Sequence, residues 1–311
     1  MDLIIDEDEY FREKKITDYV HPRHIAFPNK SSLYEKVRYL KKLKSEYDFF
    51  HCGGWKGMLA YMAGVPYGLQ FFGSELRYWE DRNDFKSFLK KPLMHRVVKK
   101  ALYVAVGTPD LLQNVRHIRP DAFWIPGPVD FDLFNDKADR IDLGYDLPVI
   151  FSPTRIEKQK GSDIIWKAVS ETRNDFVFLQ TDWGFEPFRS EMIRAAPEKM
   201  RLIDIIPHEK MPGYYVSSTA VMGQVGAVIR GYVEVEAAAC GAPVLCYSPD
   251  DTPFVPKEKD TSTIAKYLDR LVEDREFRSN LARSERKWVL ENHDISMIVD
   301  RWRTLWESFT K

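Results

Sequence analysis

Short apolar runs without polar alternation recur along this chain at residues 148–152, 176–180, 201–206 and 244–247, separated by polar or amphipathic stretches. Runs of about five such residues suit strands covered on both faces of a parallel sheet. An earlier series repeats the pattern. A strand end at 49–51 leads into a turn at 52–54 and a helical stretch at 58–63 closed by Gly64. Apolar residues 66–72 follow, broken at Gly73, and a further run at 102–106 ends at Gly107. Strands alternating with helices predict βαβ construction, and two such series predict two α/β domains.

Between the two series, residues 128–146 show neither period and carry Asp130, Asp132, Asp136, Asp139 and Asp142, the composition of a linker. At the end of the chain Ile295, Ile298, Trp302, Leu305 and Phe309 recur at helical spacing, and Trp306 widens the stripe. These marks predict an N-terminal domain over 1–130, a linker over 131–146, a C-terminal domain over 147–294 and a helix over 295–311 that packs across the domains.

A length of 311 residues is enough for two cores. A formal net charge of -1 excludes a surface built throughout for nucleic acid, so no nucleic-acid partner is expected. Cys52, Cys240 and Cys246 have neither disulfide nor zinc-ligand spacing, and buried thiols in a reducing compartment are expected. The first ten residues carry no basic-then-apolar leader, and no apolar run approaches the roughly 20 residues that cross a bilayer. A cytoplasmic chain without a metal or cofactor is the expectation.

Ligands of parallel α/β sheets bind beyond the carboxyl ends of the strands, so the loops there are the places to look for chemistry. After the run at 148–152 comes a loop with Arg155 and Lys160, then Gly161 at the turn into a helix. Two cations at a helix start can neutralise a diphosphate, although a solvated basic loop has the same composition. Downstream, Gly231 opens an element packed with Ala237, Ala238 and Ala239 that closes at Gly241, before Pro243 leads into the next run. Glu236 lies beside those alanines, where a carboxylate needs a partner: a ribose diol or a nearby Arg or Lys. Pro126, Gly127, Pro128, Val129 and Asp130 form a rigid turn.

The order and spacing of these segments resemble the retaining glycosyltransferases of family 4, which have the GT-B architecture: two facing Rossmann-like domains with a helical C-terminal tail. Arg155 and Lys160-Gly161, Glu236 through Val244, the turn at 126–130 and the segment His208-Glu209-Lys210-Met211-Pro212 carry the resemblance, which covers residues 49 to the C-terminus. It implies transfer of a hexose from a nucleoside diphosphate sugar to a glycan, lipid or lipid-linked acceptor, with retention and without a metal. Arg155 and Lys160 would stabilise the leaving diphosphate. Gly161, Ile206, Pro207, Met211, Arg230, Gly231, Tyr232 and Glu236 would hold the donor, with His51 and Gly73 of the first domain approaching the sugar and acceptor.

Three positions depart from that pattern. Val228 stands where the family carries a second carboxylate, Phe72 stands where a histidine is common, and residues 1–19 contain no glycine-rich loop. These departures keep open a catalytically weak, nucleotide-sugar-binding partner subunit of a glycosylation complex, and another GT-B enzyme such as a sugar-nucleotide epimerase. Arg82, Lys86, Lys90, Lys91, Arg96, Lys99 and Lys100 are interleaved with Phe85, Phe88, Leu89, Leu93 and Met94 against the single acid Asp84. Such a stretch suits peripheral contact with the inner face of an anionic membrane, or a helix packed on its own sheet with a solvated basic face.

Overall fold

The computed structural model describes residues 3–6, 24–27, 32–77, 85–228 and 230–310. They fall into two compact units. One holds the chain up to Gly107, Leu111–Trp124 and the tail from Thr304; the other holds Thr108–Asp110 and Ile125–Arg303.

In the first unit, β1 (Leu3–Asp6) and β2 (His24–Phe27) pair in parallel. Four further parallel strands lie in sequence order: β3 (Phe50–Gly53), β4 (Tyr67–Phe71), β5 (Val104–Val106) and β6 (Phe123–Trp124). Leu69, Phe71 and Val106 are fully buried, as the continuous apolar runs require. The helix Gly57–Ala63 crosses from β3 to β4 and ends at Gly64 with φ of 65°, a left-handed cap. Sequence patterning anticipated neither β1 nor β2, nor the two-residue β6.

The basic stretch is a helix from Phe85 to Lys100; residues 78–84, and with them Arg82 and Asp84, lie outside the described residues. Val97 and Val98 of this helix are fully buried, and Leu93 and Met94 pack against the same core. Arg96, Lys99 and Lys100 are exposed. Its second half therefore turns its apolar side chains onto its own sheet.

The second unit contains β7 (Val149–Ser152), β8 (Val177–Thr181), β9 (Met200–Ile203), β10 (Ala220–Met222) and β11 (Val244–Leu245), all parallel, in the order β11-β10-β7-β8-β9. This is the Rossmann order, and it reverses between β7 and β10. Successive strand residues feed two separate cores. Phe151, Leu179, Val221 and Val244 enter one, with Tyr215 and the alanines of the helix Tyr232–Ala239. Ile150, Phe178, Met222 and Leu245 enter the other, with the helices Ser162–Glu171 and Thr261–Glu273. Apolar residues on both faces of the pleat are why the runs read as continuous.

Residues 131–146 belong to the second unit and contain no helix or strand, yet Phe134 there is only 2% exposed. The run at 201–206 leaves the sheet after Ile203, because Pro207 and the turn His208–Lys210 take the chain away. The terminal helix spans Ile295–Glu307. Ile298 is buried, whereas Ile295, at the start of the anticipated stripe, is 50% exposed. Trp306 donates its indole N–H to the Tyr103 hydroxyl at 2.9 Å, and the Phe309 ring lies 6.1 Å from Phe49. No helix among the described residues is long and apolar enough to cross a membrane.

Candidate nucleotide-sugar site

The crevice between β7 and β10 is where two strand-end loops diverge, and the second unit brings them into contact there. The loop after β7 is anchored by Gln180 of β8, whose amide donates to the Thr154 carbonyl at 2.7 Å. Ile156 then pairs with the strand-end segment of β8, accepted by the Trp183 carbonyl at 2.8 Å. Arg155, between these ties, bonds one Glu157 oxygen from Nε at 2.7 Å and from its terminal nitrogen at 2.6 Å. Its guanidinium also lies 4.7 Å from the Phe185 ring and 5.5 Å from the Trp183 ring. Glu157, Trp183 and Phe185 therefore orient this cation, and sequence spacing alone did not single them out.

Lys160 ends a single helical turn, and its ammonium donates to Gln224 Oε1 on the β10 loop at 3.0 Å. The backbones touch as well. The amides of Val225 and Gly226 donate to the Lys160 carbonyl at 3.0 and 3.2 Å. Gly161 follows with φ of +78°, and a Cβ there would sit 2.7 Å from the Gly226 nitrogen. A Cβ on Gly226 would sit 2.1 Å from the Gln159 carbonyl oxygen. Only paired glycines allow the loops this approach. The helix Ser162–Glu171 starts at this point, so its unpaired N–H groups and positive dipole end add to the Lys160 charge.

The loop after β10 is held by Glu234. Its two oxygens accept the backbone N–H of Gln224 at 2.8 Å and of Gly231 at 2.7 Å, and the side chain is buried. Gly231 is the N-cap of the helix Tyr232–Ala239. Tyr232 is 58% exposed and its hydroxyl closes on Gly127, where a Cβ would come within 2.5 Å. Arg230 is spent differently. It forms a two-point ion pair with Asp250 at 3.0 and 2.7 Å and sits 5.0 Å from the Trp288 ring, with 7% of its side chain exposed. Its guanidinium is a structural tie, leaving its backbone as the part that can meet a ligand.

Glu236 is 5% exposed, and its Oε1 lies 2.9 Å from His208 Nε2. The partner is thus neither Arg nor Lys but the exposed imidazole of the 208–212 segment. Burial raises the Glu236 pKa, and the contact with His208 opposes that rise. Ile206 and Pro207 line a cleft of about 510 Å³ with Asp182, Lys210 and Tyr214, beyond the carboxyl ends of β8 and β9. Met211 is 7% exposed and packs in the core, so its side chain lines nothing.

In the first unit His51 lies on β3, with Nδ1 2.7 Å from the Tyr103 hydroxyl and Nε2 3.0 Å from Gln70 Oε1. The ring keeps one edge open to solvent, but Tyr103 and Trp306 crowd the other side, and this desolvation lowers its pKa. Its contacts belong to the sheet face. Gly73 starts the short helix Ser74–Arg77, whose Glu75 accepts the Phe72 amide at 2.5 Å. No group of three or more His, Cys, Asp or Glu residues able to hold a metal occurs among the described residues.

Solved structures match this fold. Anabaena HepE in complex with UDP and glucose superimposes with a TM-score of 0.77 at 14% identity, over 98% of this chain and 91% of that one. Sucrose-phosphate synthase from Thermosynechococcus elongatus gives 0.72 at 17% identity, over 93% of this chain and 83% of that one. A glycosyltransferase from Rickettsia africae gives 0.72 at 13% identity, over 98% and 89%. The fold is GT-B. No protein-family model and no curated protein matches the sequence, so GT-B membership rests on the three-dimensional likeness. Within the GT-B frame, the second unit places Lys160, Gly161, Gly231 and Glu236 along one edge of its sheet, with Arg155 and Pro207 on the adjoining strand ends.

Proposed function

We propose that this protein is a glycosyltransferase that moves a hexose from a nucleoside diphosphate sugar to a glycan, lipid or lipid-linked acceptor. The observation that carries the reading is the crevice between β7 and β10, where Lys160 and Gly161 meet the Gln224-Val225-Gly226 loop at the start of a ten-residue helix. A cation and the positive dipole end of a helix converge there, which is the chemistry of a diphosphate cradle. HepE, with the same fold, was solved with UDP and glucose.

In this reading Lys160 and Arg155 offset the charge that grows on the diphosphate as its bond to the anomeric carbon breaks, in the place of a metal; retention at that carbon is what the resemblance to family 4 implies. Glu236 accepts the ribose hydroxyls, exchanging His208 for them, and the cleft at Ile206 and Pro207 takes the base. The backbone from Arg230 to Tyr232 faces the donor sugar. The departures at Val228 and Phe72, together with the occupied ring of His51, favour the partner-subunit alternative.

Release of nucleoside diphosphate from a panel of sugar nucleotides, with lipid and glycan acceptors present, separates the readings. Turnover is expected with one donor and is expected to fall by about 100-fold or more in Arg155→Ala. Nucleotide binding with no release would leave the partner-subunit reading standing instead.

A further inference from the structure

At the opposite, amino edge of the second sheet lies a larger cleft of about 850 Å³. Ser218 and Thr219, which precede β10, and Ala242 and Pro243, which precede β11, form its floor. One wall is a face of the helix Arg275–Asn292; the other is the 136–140 segment. Five cations line it, Arg140, Arg278, Arg283, Arg286 and Lys287, against the carboxylates Asp136 and Glu291. The whole chain, by contrast, carries a net charge of -1. An excess of this size inside one recess is a local feature and not a sample of the surface.

The two carboxylates leave most of that charge uncompensated. Asp136 pairs with Arg286 at 2.9 Å, and Arg286 is further fixed by the Ala239 carbonyl. Glu291 reaches Lys287 only at 3.9 Å, with both side chains well exposed. Arg278 donates to the carbonyls of Leu271 and Val272, and Arg283 to the Asn280 side chain. Arg140 has no hydrogen bond or ion pair among the described residues. The cations in excess of these two carboxylates repel each other unless a further anion joins them. Guanidinium forks match phosphate oxygens in geometry.

We propose that this cleft is a second anion site, separate from the donor crevice, that binds a small soluble compound bearing two or more phosphate groups. Arg286 and Arg278, already fixed by protein partners, form the rigid part of the site. Arg140, Arg283 and Lys287 close on the ligand from the two walls, joining the long helix to the 136–140 segment. A concave site of this volume takes a small molecule in preference to an extended surface. The proposal does not depend on the sugar-transfer reading, because none of its residues lies at the carboxyl edge.

Inorganic tripolyphosphate is the probe, titrated calorimetrically at constant ionic strength, with orthophosphate as the monovalent-group control. Wild type and Lys160→Ala are both expected to bind tripolyphosphate saturably, and orthophosphate at least tenfold more weakly. Arg283→Ala combined with Lys287→Ala is expected to weaken tripolyphosphate at least tenfold with an unchanged melting temperature, since both side chains are exposed. Arg140→Ala gives a second test on the facing wall. Absence of saturable binding to wild type overturns the proposal. So does binding that survives in the double variant and disappears in Lys160→Ala, which would assign the anion to the donor crevice.

Discussion

Gly161 is the residue on which the crevice between β7 and β10 turns. Its φ of +78° lies in the left-handed region, and the space beside it is filled by the Gly226 backbone. An alanine there costs roughly 1–2 kcal/mol for the backbone conformation alone, before the contact with Gly226 is relieved. Relieving it means moving the loop that holds Lys160. Gly161→Ala is therefore expected to lose more than about 1 kcal/mol in urea unfolding and at least tenfold in nucleotide affinity. Full affinity in a destabilised Gly161→Ala would show that the close approach serves the fold and not the site. Here the sequence was legible: a glycine after Lys160, at the entry to a helix, already marked a tight turn. Gln224, the partner of Lys160, was not legible, because it is 64 positions away and only the reversal of strand order brings the loops together.

At the scale of elements, the turn at 125–130 is tied to the last helices of the second unit. His293 donates its Nδ1–H to the Gly127 carbonyl at 2.8 Å, and its own carbonyl accepts the Val129 amide at 2.9 Å. Burial, with a smaller push from the Arg230 charge, lowers the His293 pKa from 6.5 to about 4. The folded protein thus keeps this ring neutral where the unfolded chain protonates it. A histidine whose folded pKa is depressed stabilises above its unfolded pKa and loses that contribution as pH falls through the folded one. Stability is expected to drop by on the order of 3 kcal/mol between about pH 6.5 and 4 from this group. His293→Gln, which retains a donor for Gly127, is expected to flatten that window in denaturant unfolding across the pH range. An unchanged pH slope would remove His293 from the account.

Element patterning was legible where an unbroken apolar run is buried on both faces, as at β7 and β8. It failed at β1, β2 and β6, and it extended β9 through residues that form the cleft at Ile206 and Pro207. It also assigned 131–146 a linker composition, since the charged side chains hide how Phe134 is buried. What the side chains of Arg230 and Met211 do was equally hidden. Both fall inside segments that resemble a donor site, and each is used for packing or pairing that only tertiary structure reveals.

At the scale of the whole molecule, the second unit places cations at opposite edges of one sheet. The carboxyl edge carries the crevice with Lys160, and the amino edge carries the cleft with Arg283 and Lys287. The GT-B fold explains the first edge by its strand order and says nothing of the second. The central claim is that the carboxyl-edge crevice binds a nucleoside diphosphate through its backbone and its two cations. The direct measurement is a thermal-shift titration of wild type and Lys160→Ala with UDP, GDP, ADP and TDP. Binding to the folded state at about 100 times the dissociation constant stabilises by about 2.7 kcal/mol, a readily measured rise in melting temperature. A rise with one nucleotide that is lost in Lys160→Ala is the predicted result; no rise with any of the four, or an equal rise in the variant, would contradict it.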